Sequence, residues 1–119
     1  MTISQAGYAA QFIDKDGSTF KFDDIGCMIR FAREDNRRNT VAAFFVVDYN
    51  DRRWLPAEQA TYVKSEKMAS PMGSGLIGFR DSPRARDFAG KNDGRVLLFD
   101  DLWRGDATEL PQHVPTKPR

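Results

Sequence analysis

The stretch Phe20-Lys21-Phe22-Asp23-Asp24-Ile25-Gly26-Cys27-Met28-Ile29-Arg30-Phe31-Ala32 contains a transition from strand to helix. Phe20 and Phe22 alternate with polar residues, which is the period-two pattern of a half-buried strand. Asp24 suits a helix N-cap, because its carboxylate can accept hydrogen bonds from the free N–H groups of the first turn. Beyond it, apolar residues recur at the spacing of one helical face, namely at Ile25, Met28, Ile29 and Ala32. The stretch therefore predicts a strand, a cap and an amphipathic helix.

Cys27, the only cysteine in the chain, falls beside that apolar face rather than at its centre. In the first helical turn the positive end of the helix dipole favours a thiolate, so Cys27 could be a partly accessible sulfur ligand. The alternative is a small buried apolar residue, because free cysteine is among the most buried residue types. Position alone favours the buried alternative, and a single cysteine forms no internal disulfide.

The composition is that of an ordinary globular protein, with 119 residues, 40% hydrophobic and 29% charged. This length suffices for one domain or for two small lobes that share a core. The net charge of +1 gives no reason to expect binding to nucleic acid or to an anionic membrane surface. No apolar run approaches the roughly 18 residues of a transmembrane helix, and the polar start of the chain does not resemble a signal peptide.

The predicted elements occur twice in the order strand, strand, helix, strand. The first set covers residues 8–14, 19–23, 24–34 and 40–49, with an Asp16-Gly17 turn in the hairpin. The run 41–47 is the most apolar and predicts a central strand buried on both faces. Residues 54–56 are expected to lead into a helical turn at 57–60. The second set covers residues 61–66, 76–80, 81–89 and 95–100.

The two sets also share residues at identical spacing. Phe22-Asp23-Asp24 with Phe31-Ala32 corresponds to Phe79-Arg80-Asp81 with Phe88-Ala89. Any capped helix that follows a strand shows some of this pattern, but the shared spacing favours an internal duplication. We predict an α+β fold, a tandem ββαβ repeat with two small sheets or lobes and helices packed on them. The predicted lobes are residues 1–53 and 54–104, followed by a Pro-rich flexible tail at 105–119 without its own core.

The usual catalytic signatures are missing, and sulfur ligands are the most notable candidates. The one histidine, His113, lies in the Pro-rich tail, and no Cys/His cluster has zinc spacing. Thiolate and thioether sulfur prefer Cu(I) to hard cations. Met72 lies in the Gly-, Ser- and Pro-rich loop 67–75, where a methionine has little packing role. This position favours a role for Met72 as a metal ligand. Met28 lies on the apolar helical face and is expected to pack in the core, whereas Met68 could be either a ligand or a packing residue. In general, methionines are more often packing residues than ligands.

Three segments resemble the NosL family, the copper chaperones that act as accessory proteins of nitrous oxide reductase. They are Tyr8-Ala9-Ala10-Gln11 with its hairpin, residues 22–28, and Val47-Asp48-Tyr49 through Trp54 to Ser70-Pro71-Met72-Gly73-Ser74-Gly75. The resemblance extends over about residues 1–103. It implies a fold related to that of organomercurial lyase and no enzymatic activity. It also implies an extracytoplasmic, membrane-anchored lipoprotein of denitrification. Such a protein takes Cu(I), with a copper donor as a further expected partner, and supplies it for the copper–sulfide centre of nitrous oxide reductase.

The resemblance also implies where copper ligands lie. In the family they are associated with an N-terminal Cys-x-Met motif just after the lipid anchor and with the methionine of Pro-Met-Gly, here Met72. The cysteines of that motif are absent from this sequence, and Met1 stands where its methionine would be. We therefore expect an N-terminally truncated chain that lacks the lipid anchor, its only link to a membrane. The expected metal ligands are Met72, Cys27, Met28, Met68 and Met1, of which Met28 matches the family pattern more securely than Cys27.

Two other classes of protein are compatible with the sequence. A non-metal interaction module would bind a protein or small ligand in a hydrophobic groove between the lobes, and exposed Trp54, Trp103 and Tyr62 would favour it. A lyase-like enzyme would follow only from the related fold. The single cysteine argues against that class, because carbon–mercury cleavage needs paired thiols and because fold does not transfer function.

Overall fold

The computed structural model describes residues 7–34, 39–70 and 73–104, and contains two antiparallel sheets with helices packed on them. The elements are β1 (Ala10–Asp14), β2 (Thr19–Phe22), α1 (Ile25–Glu34), β3 (Val41–Val47), β4 (Trp54–Pro56), a 3-10 turn (Ala57–Gln59), β5 (Thr61–Lys64), β6 (Leu76–Phe79), α2 (Ser82–Lys91), β7 (Arg95–Leu98) and α3 (Phe99–Trp103). None of the helices in these ranges is long and apolar enough to cross a membrane. The predicted tail at 105–119 lies outside the described residues.

The two sheets repeat one topology, which confirms the predicted tandem ββαβ fold. Their strand orders are β2-β1-β3-β4 and β6-β5-β7. In each sheet the first strand of the repeat lies between its hairpin partner and the strand that follows the helix. Phe22 and Phe79, which share a position in the repeated sequence pattern, both end the second strand of their repeat. The duplication read from the sequence therefore has a structural counterpart.

The structure differs from the predicted elements at two strand ends. Trp54–Pro56 forms a strand on the first sheet, with Leu55 opposite Val46, and leads directly into the predicted helical turn, which is a 3-10 turn at Ala57–Gln59. The division between 53 and 54 stays a prediction, but this strand pairs with the first half. The predicted strand 95–100 is also too long, because α3 begins at Phe99. There the Asp101 carboxylate accepts from Leu98 N at 2.9 Å and starts the helix.

The larger hydrophobic core joins the two halves of the chain. Its fully buried side chains come from the first sheet and α1 as well as from the second sheet and α3, and include Phe12, Met28, Ile29, Val46, Tyr62, Leu76 and Leu102. The Tyr62 hydroxyl satisfies its buried oxygen by donating to Ala57 O at 2.8 Å. On β3, Phe44 and Val46 are buried on one face while Ala43 and Phe45 are half-buried on the other, so this strand is only partly buried on its second face.

A buried aspartate connects the end of β3 with β6. Asp48 forms a parallel bridge with Gly78, and Tyr49 N donates to Gly78 O at 2.8 Å. The Asp48 carboxylate accepts from Arg80 N at 3.0 Å. A Cβ on Gly78 would lie 3.3 Å from the Tyr62 ring and 3.4 Å from a Val46 methyl group. The close approach of the two sheets therefore favours glycine at position 78, because a larger residue would push the Tyr62 and Val46 side chains apart.

The contact at Gly78 gives a stability prediction. Gly78→Val should lower the free energy of unfolding by about 1–3 kcal/mol, because its methyl groups overfill a packed junction. The matched control is Gly90→Ala on α2, where an added Cβ has no neighbour within 4 Å among the described residues. That change should raise stability by roughly 0.5–1 kcal/mol. Urea unfolding of both variants measures the difference, and equal effects would contradict the packing role of Gly78.

Candidate functional site

Asp24 is fully buried at the start of α1 and accepts hydrogen bonds from two parts of the chain. Its Oδ1 atom accepts from Gly26 N at 2.8 Å, in agreement with the predicted capping role. The same oxygen accepts from the Ser74 hydroxyl, fifty residues away in the sequence. A buried carboxylate is costly unless it is hydrogen-bonded, so these contacts hold the beginning of α1 against the loop that contains Ser74.

The loop before β6 is fixed at both of its ends. The buried hydroxyl of Ser70 accepts from Gly75 N at 3.0 Å and lies 3.5 Å from the Ser74 hydroxyl. At the end of the loop that leads into β6, the Lys64 ammonium also donates to Ser74 O at 2.6 Å. Gly75 has φ of +70°, and a Cβ there would lie 2.5 Å from Ser65 O, so only glycine fits. The chain between Ser70 and Ser74 therefore begins and ends beside the first turn of α1.

The predicted sulfur ligands lie in different parts of the protein. Cys27 and Met28 belong to the larger core, with exposures of 4% and 0%. Met68 is half-buried and packs against a second, smaller cluster around Val63, Ile77 and Phe79. Met72 and Met1 lie outside the described residues. Within the described ranges, no group of three or more His, Cys, Asp or Glu side chains could hold a metal ion.

The surroundings of Cys27 favour a neutral thiol. Burial, with the nearby carboxylates of Asp24 and Asp23, raises its pKa to about 12, although Arg30 acts in the opposite direction. The sequence suggested a thiolate stabilised by the helix dipole, and that effect is smaller than the cost of burying charge next to two acidic groups. The structure therefore supports the buried alternative for Cys27.

The first described residues of the chain also lie near Asp24 and near the cluster that Met68 contacts. The Tyr8 ring lies 6.2 Å from that of Tyr49, and Tyr8 packs against the same cluster as Met68. Burial and then Tyr49 raise the pKa of Tyr8, Arg52 lowers it, and Asp24 adds a smaller increase. Tyr8 is thus within electrostatic reach of Asp24.

The sequence alone did not predict a role at the site for Tyr8, Ser70, Ser74 or Lys64. The one usable signal was the pair of serines on either side of Pro-Met-Gly.

The surface expected of an interaction module is only partly present. Trp54 is 45% exposed, but Tyr62 is fully buried and Trp103 is half-buried against the core. A cavity of about 460 Å³ lies between the end of the first half, at Tyr49 and Asn50, and α2 of the second half, with Phe79, Arg84 and Phe88 also lining it.

The fold and the loop held by Asp24 define an α+β protein built as a tandem ββαβ repeat. The NosL family model matches residues 1–106, so the chain belongs to the NosL family. The crystal structure of the copper chaperone NosL from Shewanella denitrificans superposes with a TM-score of 0.71 at 19% identity, covering 78% of this chain and 76% of that one. At that identity the likeness shows the fold alone. No curated protein matches. Membership of this family agrees with the prediction that the chain is not an enzyme.

Replacing the buried carboxylate should destabilise the protein more than replacing its counterpart in the second half. Asp24→Ala leaves the Ser74 hydroxyl and Gly26 N–H without their acceptor, and should cost about 2–4 kcal/mol of unfolding free energy. Asp81→Ala removes an exposed cap that accepts from Arg84 N at 3.3 Å, and should cost about 1 kcal/mol. Urea titrations compare the two variants. Equal losses would show that Asp24 acts only as a helix cap.

The raised pKa of Cys27 predicts slow alkylation and a specific pH dependence. At pH 8 iodoacetamide should label the native protein at least about a hundredfold more slowly than the urea-unfolded chain, because the thiolate is the nucleophile. The folded pKa of about 12 exceeds the ordinary value of 9.0. The stabilisation associated with the neutral thiol is therefore complete below about pH 9 and is lost as the pH rises towards 12.

The control for this pH dependence is Cys27→Ala, which removes the titrating group. The difference in unfolding free energy between the parent chain and Cys27→Ala should be constant from pH 6 to 8 and should shrink above about pH 9. A difference that is flat up to pH 10.5, or rapid alkylation of the native protein, would contradict a buried neutral thiol.

Proposed function

We propose that this protein is a copper chaperone that carries Cu(I) and releases it to a recipient copper enzyme by ligand exchange. One observation carries the proposal: the hydrogen bond from Ser74 to buried Asp24 holds the ends of a methionine-bearing loop beside α1. Met72 belongs to that loop, and thioether sulfur prefers Cu(I) to hard cations. Membership of the NosL family and a fold shared with a copper chaperone support the same function.

Met72 is the principal ligand in this proposal, and Met1 is the second. Met72 is two residues from Ser74 in the sequence, and the segment with Met1 joins the fold at Gly7, next to Tyr8. Met68 is half-buried and packs against the same cluster as Tyr8, so its thioether is suited to serve as an additional copper ligand.

Cys27 and Met28 have lesser roles because of their burial. A metal at Cys27 has to displace a proton from a thiol whose pKa is about 12, and has to reach a side chain that is 4% exposed. Met28 is fully buried in the core. A copper site made from ligands on a loop and on the N-terminal segment would instead hold the ion by few metal–ligand bonds and leave it accessible to a partner protein. Both conditions favour rapid transfer of the ion to that partner.

The recipient in this proposal is nitrous oxide reductase, whose copper–sulfide centre would receive the ion. The protein would then be an extracytoplasmic lipoprotein of denitrification, held at the membrane by a lipid anchor and loaded by a copper donor. Residues 1–53 and 54–104 are the proposed halves. They act together, because the loop of the second half is bonded to the helix of the first.

An interaction module without metal is the second candidate. The exposed Trp54 and the cavity against α2 favour it. It predicts no specific Cu(I) binding, so the same titration separates the two functions.

Anaerobic Cu(I) titration against a competing chelator tests the copper function. The chain should bind one Cu(I), and Met72→Leu should weaken binding at least about tenfold, equivalent to about 1.4 kcal/mol. Met28→Leu is the matched control, because it removes a thioether from the core at similar volume and should change affinity less than about twofold.

Three further results decide the ligand set. Unchanged affinity in Met72→Leu would exclude the loop as the copper site, and weakened binding in Cys27→Ala would place the thiol among the ligands. A version extended by the Cys-x-Met motif should bind more tightly than the present chain. Absence of specific binding in every version would leave the interaction module as the function.

A further inference from the structure

Three aromatic rings from different parts of the chain line the cavity beside α2. Tyr49 lies just after β3, Phe79 ends β6 and Phe88 belongs to α2. The ring centres of Tyr49 and Phe79 are 5.9 Å apart, and the Phe88 ring lies 5.5 Å from each of them. Phe79 is buried, but Tyr49 and Phe88 are only half-buried. The rings therefore present aromatic surface to the cavity.

The charged lining residues follow one face of α2. Arg84 and Lys91 are seven residues apart, which is two helical turns or about 10 Å along the axis. The Lys91 ammonium pairs with the Asp87 carboxylate at 3.2 Å. Two cations and one anion give this rim of the cavity a net charge of +1. Because Lys91 is paired with Asp87, the exposed guanidinium of Arg84 is the group best placed to bind an anion.

Two asparagines complete the lining of the cavity. The Asn92 side-chain amide donates to Phe88 O at 3.0 Å, which holds it against the end of α2. Asn50 is exposed at the end of the first half. A side-chain amide has both a donor and an acceptor, as a peptide group does. Half of the eight lining residues are exposed, so the cavity is open to solvent along its polar rim: Asn50, Arg84, Asp87 and Lys91.

We propose that this cavity is a docking site for a segment of a partner protein in which an aromatic side chain lies next to an acidic one. The aromatic side chain packs against Tyr49 and Phe88, because aromatic pairs gain more than the burial of their area alone. The acidic side chain binds Arg84, whose planar guanidinium can donate two parallel hydrogen bonds to a carboxylate. The volume of about 460 Å³ lies within the range of ligand sites.

The open rim favours a chain segment over a free small molecule. Sites for small molecules bury most of the ligand surface, whereas the exposed rim of this cavity leaves one side of its occupant in water, where a chain can continue. Asn50 and Asn92 offer amide groups that match the peptide groups of such a chain. The inference goes beyond the copper function and does not depend on it, because no lining residue is a proposed copper ligand.

An NMR titration of the isotope-labelled chain without copper tests the site. The probe is a capped tripeptide with phenylalanine between two aspartates. Its addition should shift the backbone amide signals of the lining residues, and the shifts give a dissociation constant. Two control tripeptides have alanine in place of phenylalanine or lysines in place of the aspartates. Each lacks one of the two proposed contacts and should bind at least about fivefold more weakly.

Three exposed positions on α2 separate the site from general charge attraction. Arg84→Gln should weaken binding of the acidic tripeptide about fivefold, because the carboxylate loses its charged donor. Arg86→Gln is the matched control: it removes an exposed guanidinium that does not line the cavity, on roughly the opposite face of the helix, and should change affinity less than about twofold. Asp87→Asn should strengthen binding about twofold, because it removes a repelling carboxylate and releases Lys91.

Several outcomes would overturn the docking site. One is the absence of shifts at the lining residues, and another is equal weakening by Arg84→Gln and Arg86→Gln. Equal affinity for the lysine tripeptide would also contradict it. Phenylacetate that binds as tightly as the acidic tripeptide would assign the cavity to small aromatic acids instead of a chain segment. These measurements use no copper, so the Cu(I) titration of Met72→Leu succeeds or fails separately.

Discussion

The hydrogen bond between the Ser74 hydroxyl and the buried carboxylate of Asp24 is the contact on which the candidate site depends. A carboxylate without solvent exposure needs polar partners, and these come from α1 and from the loop of the other half. Separation of the loop from the helix would leave that carboxylate with fewer partners in the core. The same aspartate also helps to keep the Cys27 thiol neutral. One buried acid thus positions the loop and reduces the reactivity of the only cysteine.

The parts of the fold that were predicted correctly are those with local signals. The hairpin turn, the cap at Asp24 and the apolar face of α1 are all visible within about ten residues, and their repetition indicated the tandem topology. The strand Trp54–Pro56 was missed because three residues that end in proline show no alternation, and pairing of Leu55 with Val46 decides its conformation. The start of α3 was missed for a related reason: Phe99 continues an apolar run, while the Asp101 carboxylate ends it.

The site was less predictable, because its contacts are long-range. Local sequence placed Cys27 in a helical turn that favours a thiolate, but could not weigh burial and the two neighbouring carboxylates, which dominate. Nothing in the spacing links Ser74 to Asp24, fifty residues apart. The resemblance drew attention to Met72 and Met1, which lie outside the described residues, so their ligand roles stay predictions.

The shared core has a consequence for the newly synthesised chain. Cys27 lies in a cluster that Leu76, Leu97 and Leu102 complete from the second half. Because a chain is made from its N-terminus, the first ββαβ unit exists before these side chains are available. During that interval the thiol has neither its full cover nor the Ser74 contact with Asp24, and it is open to oxidants. Completion of the second half therefore acts as a chemical safeguard for a residue that it does not contain.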